Sequence, residues 1–170
     1  MDMETVITIN DLIVAAYFMI PAYIANSIPI VFGGGRSIDF ERKFIDGERI
    51  FGANKTIKGF LSGLICGSLA AIVEDFVLIK GFAFAGILIS LGALCGDLFG
   101  AFVKRRLKLA PGFPMPLMDQ LDFIFGALLF AHPFYDLTLG AIFLLILITP
   151  PFHIFTNALA YLLKLKNTFW

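Results

Sequence analysis

Three aspartates and a run of cations carry the chemistry open to this sequence. Asp97 lies near the end of one apolar stretch, and Asp119 and Asp122 open another. Between them come Lys104, Arg105, Arg106 and Lys108, then a loop containing Pro111-Gly112. Asp97 and Lys104 are seven positions apart, so on a helix they fall near one face, about two turns from each other. Asp97 is then ~10 Å inside the helix end. An aspartate is too short to snorkel that far, so it needs a buried partner, either a protein cation or a metal ion. Asp119 and Asp122 are three apart and project from one helix face. Three carboxylates meeting across a hairpin, with no His or Cys among them, suit a hard cation such as Mg²⁺. Without a cation they would repel, and one or more would take up a proton.

A second polar cluster ends the segment Gly33–Gly59. Asn54, Lys55, Thr56 and Lys58 stand at the mouth of an apolar run and offer amide, ammonium and hydroxyl donors. A helix N-terminus there adds free N–H groups and a positive dipole end, which suits a phosphate. Topogenic cations with an N-cap account for the same residues equally well. The glycine spacing of a Walker loop is absent. Within the segment, charges alternate with Phe40, Phe44, Ile45, Ile50 and Phe51, a pattern able to lie along a membrane interface.

The elements that must position these groups are membrane helices. Of 170 residues, 59% are hydrophobic and only 15% charged, far from a soluble domain's usual balance. The fold class is an all-α polytopic membrane protein, read as one catalytic domain over 1–170. Five apolar runs approach the length needed to cross a ~30 Å core: about 12–32, 60–79, 82–103, 117–135 and 137–163. Cytoplasmic loops are expected at about 33–59 and 104–116. Of the thirteen Lys and Arg, six lie between runs one and two, four between runs three and four, and two (Lys164 and Lys166) after run five; Lys80 alone falls on the other side. That bias puts the N-terminus outside and both charged loops and the C-terminus in the cytoplasm. The site then faces the cytoplasm at the cell membrane.

Other features read as structure. Gly92, Gly96 and Gly100 recur every four residues and allow a close helix approach. Glu74 and Asp75 are expected at the outer surface, solvated beside Lys80. Cys66 and Cys95 read as small buried hydrophobes. Pro150-Pro151 should bend or break run five, below which Thr149, His153, Asn157 and Tyr161 form a polar stripe; a hydrogen-bonded packing role is the simpler reading of His153.

A basin of carboxylates and cations at a lipid boundary suits a polyphosphate, with metal bridging the phosphates and Lys and Arg holding outer oxygens. No Ser-His or Cys-His pair is at hand. A nucleophile that is already an anion, such as a phosphate monoester, needs no general base. A small cation transporter using Asp97 is the non-enzyme alternative. No nucleic-acid partner is expected.

The run Gly96-Asp97, Lys104-Arg105, Pro111-Gly112 and Asp119-Gln120-Leu121-Asp122 resembles the signature of CTP-dependent phosphatidate cytidylyltransferases. Ala101, Gln120 and Phe123 depart from the bacterial form. With Gly33-Gly34-Gly35 and the Asp46–Thr56 block, they look like the archaeal branch, the CDP-archaeol synthases. The resemblance implies CTP plus a di-geranylgeranyl glycerol phosphate giving CDP-archaeol and pyrophosphate, with Mg²⁺ and with the isoprenoid ether-lipid phosphate entering from the inner leaflet. It implies metal on Asp97, Asp119 and Asp122, and phosphates on Lys55, Lys58, Lys104 and Arg105, with Asn54 and Thr56 orienting them or reading the nucleotide. A phosphatidate cytidylyltransferase or a polyprenol-kinase-like enzyme would keep the same fold with another acceptor.

Overall fold

A computed structural model of the chain describes residues 7–165. Lys166, counted in the charge bias, lies outside them. Five helices are present: α1 (Ile9–Phe32), α2 (Ile57–Val77), α3 (Ala83–Arg106), α4 (Met118–Ala131) and α5 (Leu139–Leu162). Thr8, Thr56 and Thr138 start three of them. Each takes extended backbone angles, and its side chain accepts a hydrogen bond from the amide three residues on, which relieves an orphan donor of the first turn.

The helices alternate in direction. The Thr138 hydroxyl, just before α5, donates to Asp11 in the first turn of α1. Phe82, just before α3, packs edge-on to Tyr135, just after α4, at 5.4 Å. One end of the bundle therefore collects the starts of α1, α3 and α5, and the two charged loops lie at the other.

Four of the helices, α1, α2, α3 and α5, are long and apolar enough to cross a membrane. α4 is shorter than expected from the sequence. Its 14 residues stop at Ala131 rather than 135 and cover ~21 Å, less than a ~30 Å hydrocarbon core. α5 is a continuous helix through Pro150 and Pro151 rather than a broken one.

Small residues hold the bundle in two tight seams. On α2, Gly59, Gly63 and Gly67 lie against Pro29, Ala25 and Pro21 of α1; a Cβ on Gly67 would stand 2.9 Å from the Ala25 Cβ. On α3, Gly92, Gly96 and Gly100 lie against Asp122, Gly126 and Ala127 of α4. Such contacts replace the hydrophobic drive that lipid removes. Between the seams, Phe18, Phe82, Ile89, Phe123, Ile124 and Leu145 are fully buried. Leu69, Phe76, Leu129, Leu147 and Phe155 point outward, as on a lipid-facing surface. Cys66 and Cys95 are half-buried.

Glu74 departs from its expected solvation. It is only 4% exposed, and neither carboxylate oxygen has a hydrogen-bond partner among the described residues. Asp75 instead accepts a hydrogen bond from the Ala83 amide at the start of α3.

The segment 33–56 folds onto the bundle and leaves Phe40, Phe44 and Ile45 exposed. Its staple is Asp39, whose carboxylate meets Arg49 at 2.6 Å and accepts from the amides of Glu41, Phe51 and Gly52. Burial alone would raise the Asp39 pKa. The guanidinium and the three amides outweigh it and hold the carboxyl well below the usual range. Arg106 then ties the segment to α3. Its guanidinium lies over Phe44 and Phe102 at 4.7 and 4.8 Å, reaches Asp46 at 3.0 Å and donates to the Arg49 carbonyl.

Candidate active site

The folded segment, the ends of α1, α3 and α5 and the start of α4 enclose a cavity of about 570 Å³. Asp97, Asp119 and Asp122 all line it, from α3 and α4. So do Lys55, Lys104 and Arg105, together with Asn54 and Thr56. Lys58 does not; it is exposed and outside the cavity wall.

Lys55 is the partner that Asp97 requires. Its Nζ lies 2.6 Å from both carboxylate oxygens. Desolvation would lower the Lys55 pKa, but Asp97 with Asp122 and Asp119 nearby raises it, so the ammonium stays charged. Lys104 pairs with Asp119 at 2.7 Å and donates to the Phe113 carbonyl, which pins the 107–117 loop over the cavity. The second Asp119 oxygen accepts from the Met115 amide. One Asp122 oxygen accepts from the Phe123 amide at 2.6 Å. The other occupies the space left by Gly100, where a Cβ would stand 2.9 Å from the Asp122 Cγ.

Arg105 is 6% exposed, and its Nε has no hydrogen-bond partner among the described residues. A buried guanidinium with spare donors beside a cavity can take an anion. The Thr56 hydroxyl is already committed to the α2 N-cap, so its N-cap reading accounts for its burial. Gln120 was not singled out as a site residue, yet it lines the cavity while its side-chain oxygen accepts from the Leu117 amide. Its signal lay in its place between two acids at a helix start. His153, read from sequence as a packing residue, also lines the cavity, with Asn157 of α5 and Asn26 of α1.

The donor set fits a hard divalent cation by chemistry, since carboxylate oxygens from two helices share one water-accessible space. As they stand, two of the three acids are engaged by lysine ammonium groups. Among the described residues no three His, Cys, Asp or Glu side chains converge as metal ligands.

The chain resembles proteins of one activity along nearly all its length. Residues 8–170 match the family model described as CarS-like: CDP-archaeol synthase. The CDP-archaeol synthase of Pyrococcus furiosus is 43% identical over 166 residues, covering 95% of this chain and 99% of that protein. That of Pyrococcus horikoshii is 43% identical over 167 residues, covering 95% and 98%. A solved structure of an intramembrane enzyme for archaeal membrane lipids biosynthesis superposes with a TM-score of 0.80 at 39% identity, over 84% of this chain and 92% of that one. With the motifs, the helical bundle and full-length relatives in agreement, the chain belongs to the CDP-archaeol synthase family.

Proposed function

We propose that this protein transfers the cytidylyl group of CTP to an unsaturated di-geranylgeranyl glycerol phosphate, releasing pyrophosphate and forming CDP-archaeol. The observation that carries the reading is the cavity itself, which three carboxylates and three cations from segments far apart in sequence line together. The relatives' shared name supplies the substrate class.

In this reading a phosphate oxygen of the lipid attacks the α-phosphorus of CTP. The new P–O bond forms as the bond to the β-phosphate oxygen breaks, and pyrophosphate leaves on the opposite side. The attacking group is already anionic, so the site needs no base. Lys55, Lys104 and Arg105 hold the triphosphate, with Asn54 beside them. Asp97, Asp119 and Asp122 would hold Mg²⁺, which when bound supplies charge neutralisation at the phosphates. The folded 33–56 segment and the 107–117 loop cover the cavity and limit water.

The five helices are read as five crossings, N-terminus outside, with α4 crossing together with its flanking turns. Eleven of the twelve described Lys and Arg then lie on the cavity side, which in this reading faces the cytoplasm. The test is direct: purified protein with CTP, Mg²⁺ and the unsaturated ether-lipid phosphate should yield the nucleotide-linked lipid by mass spectrometry. Absence of product with every lipid phosphate tried would overturn the reading.

A further inference from the structure

We infer that His153 and Asn157 of α5, with Asn26 of α1, form the subsite for the phosphate monoester head of the lipid acceptor; this rests on the cytidylyl-transfer reading above. In-line displacement sets the first constraint. The attacking oxygen and the leaving pyrophosphate must lie on opposite sides of the α-phosphorus. The cations Lys55, Lys104 and Arg105 come from just before α2 and from the end of α3. The acceptor head therefore needs polar groups other than those cations, and α1 and α5 bring Asn26, His153 and Asn157 to the same cavity.

Access sets the second constraint. The acceptor's chains stay in the bilayer, so its head must enter where the cavity meets the apolar flank. Ile30 and Ile154 line the cavity on that side, and Ile30 is 41% exposed. Phe152 and Phe155, on the outward side of the same turns of α5, are exposed as well. Polar side chains thus lie just inside an apolar rim, the order that a phosphate carrying hydrocarbon chains presents.

The third observation is the placement of polarity on α5. This helix is among the most apolar of the bundle and is mostly exposed along its length. Polar side chains in such a helix are kept where they face a cavity or the bundle interior. Within it, the Asn157 amide nitrogen lies 3.3 Å from His153 Nδ1, so the two side chains act as one hydrogen-bonding unit. Phe123 packs beside the His153 ring at 6.0 Å and sets its position relative to α4.

The experiment is steady-state kinetics in mixed micelles, varying lipid phosphate and CTP separately, for the unsubstituted protein and for His153→Ala, His153→Gln and Asn157→Ala. Losing a hydrogen bond to a charged group should raise the lipid-phosphate KM about tenfold or more. The CTP KM should stay within about twofold, and His153→Gln, which keeps a donor, should recover part of the loss. An unchanged CTP KM also reports an intact fold in each variant. If the unsubstituted protein turns over and the lipid-phosphate KM is unmoved in all three variants, or moves equally with that for CTP, the inference is wrong while the reaction stands. If the unsubstituted protein makes no nucleotide-linked lipid, the reading of the reaction fails and this subsite fails with it.

Discussion

Lys55 and Asp97, separated by 42 positions, meet with the ammonium nitrogen 2.6 Å from both carboxylate oxygens. The contact joins the end of the first charged segment to the start of the Gly96–Asp122 run. It also gives a half-buried carboxylate of a membrane helix its counter-charge. The same lysine is among the residues read as holding the triphosphate.

Asp97→Asn, Asp119→Asn and Asp122→Asn should each lower turnover about 10²–10³-fold or more, the scale of losing a charge-stabilising group. Each variant should still insert into the membrane and elute as a folded protein. Product formation near the unsubstituted rate in any of them would remove that residue from the site.

Lys58→Ala and Lys104→Ala separate the exposed cation from the enclosed one. Lys58 is exposed and off the cavity wall, so its loss should change kcat/KM by less than about twofold, as for a solvated surface charge. Lys104 bridges Asp119 and the Phe113 carbonyl, so its loss should raise the CTP KM about tenfold or more. Equal effects of the two substitutions would contradict the assignment.

The Asp39 staple has a pH signature. The carboxyl titrates well below the ordinary range in the folded protein. Its stabilisation is present above the unfolded value of about 3.9 and is lost as pH falls through the depressed folded value. Limited proteolysis of the 33–56 segment should therefore stay slow down to about pH 4. Asp39→Asn should expose the segment at neutral pH and cost about 3 kcal/mol, at the lower end for breaking a buried pair. Equal cleavage rates for the two proteins would refute the staple.

Gly100→Ala should impair catalysis more than folding. An added Cβ would stand 2.9 Å from the Asp122 Cγ and closer still to its outer oxygen, so the carboxylate must shift. A shift of this size at a reacting centre costs about 10²-fold in rate. The check is kcat beside the melting temperature, with a kcat close to that of the unsubstituted protein as the contrary result.

Chelation should abolish activity, and Mg²⁺ should restore it, if the acids take a hard divalent cation. Full turnover in excess chelator would exclude that role.

Much of this was legible in the sequence, because charge in a membrane helix stands out against its apolar background. Asp97 needed a buried partner by depth alone, and the glycines at 92, 96 and 100 announced a close neighbour. The partner's identity was not legible, since nothing in local spacing links Lys55 to Asp97 across two helices. Glu74 misled for the opposite reason. Its position along α2 suggested water, whereas the folded bundle leaves it buried. The extent of α4 was overread because apolar residues continue past Ala131 after the helix has ended. The staple around Asp39 was hidden too, as alternating charge and aromatics describe a surface segment as readily as a folded one.

The Asp11–Thr138 hydrogen bond fastens the first and last helices at the end far from the cavity, and the Tyr23 hydroxyl fastens them again at the Thr149 carbonyl. The two helices are therefore held at two heights, at the far end and again about one turn short of Asn26 and His153 on the cavity lining.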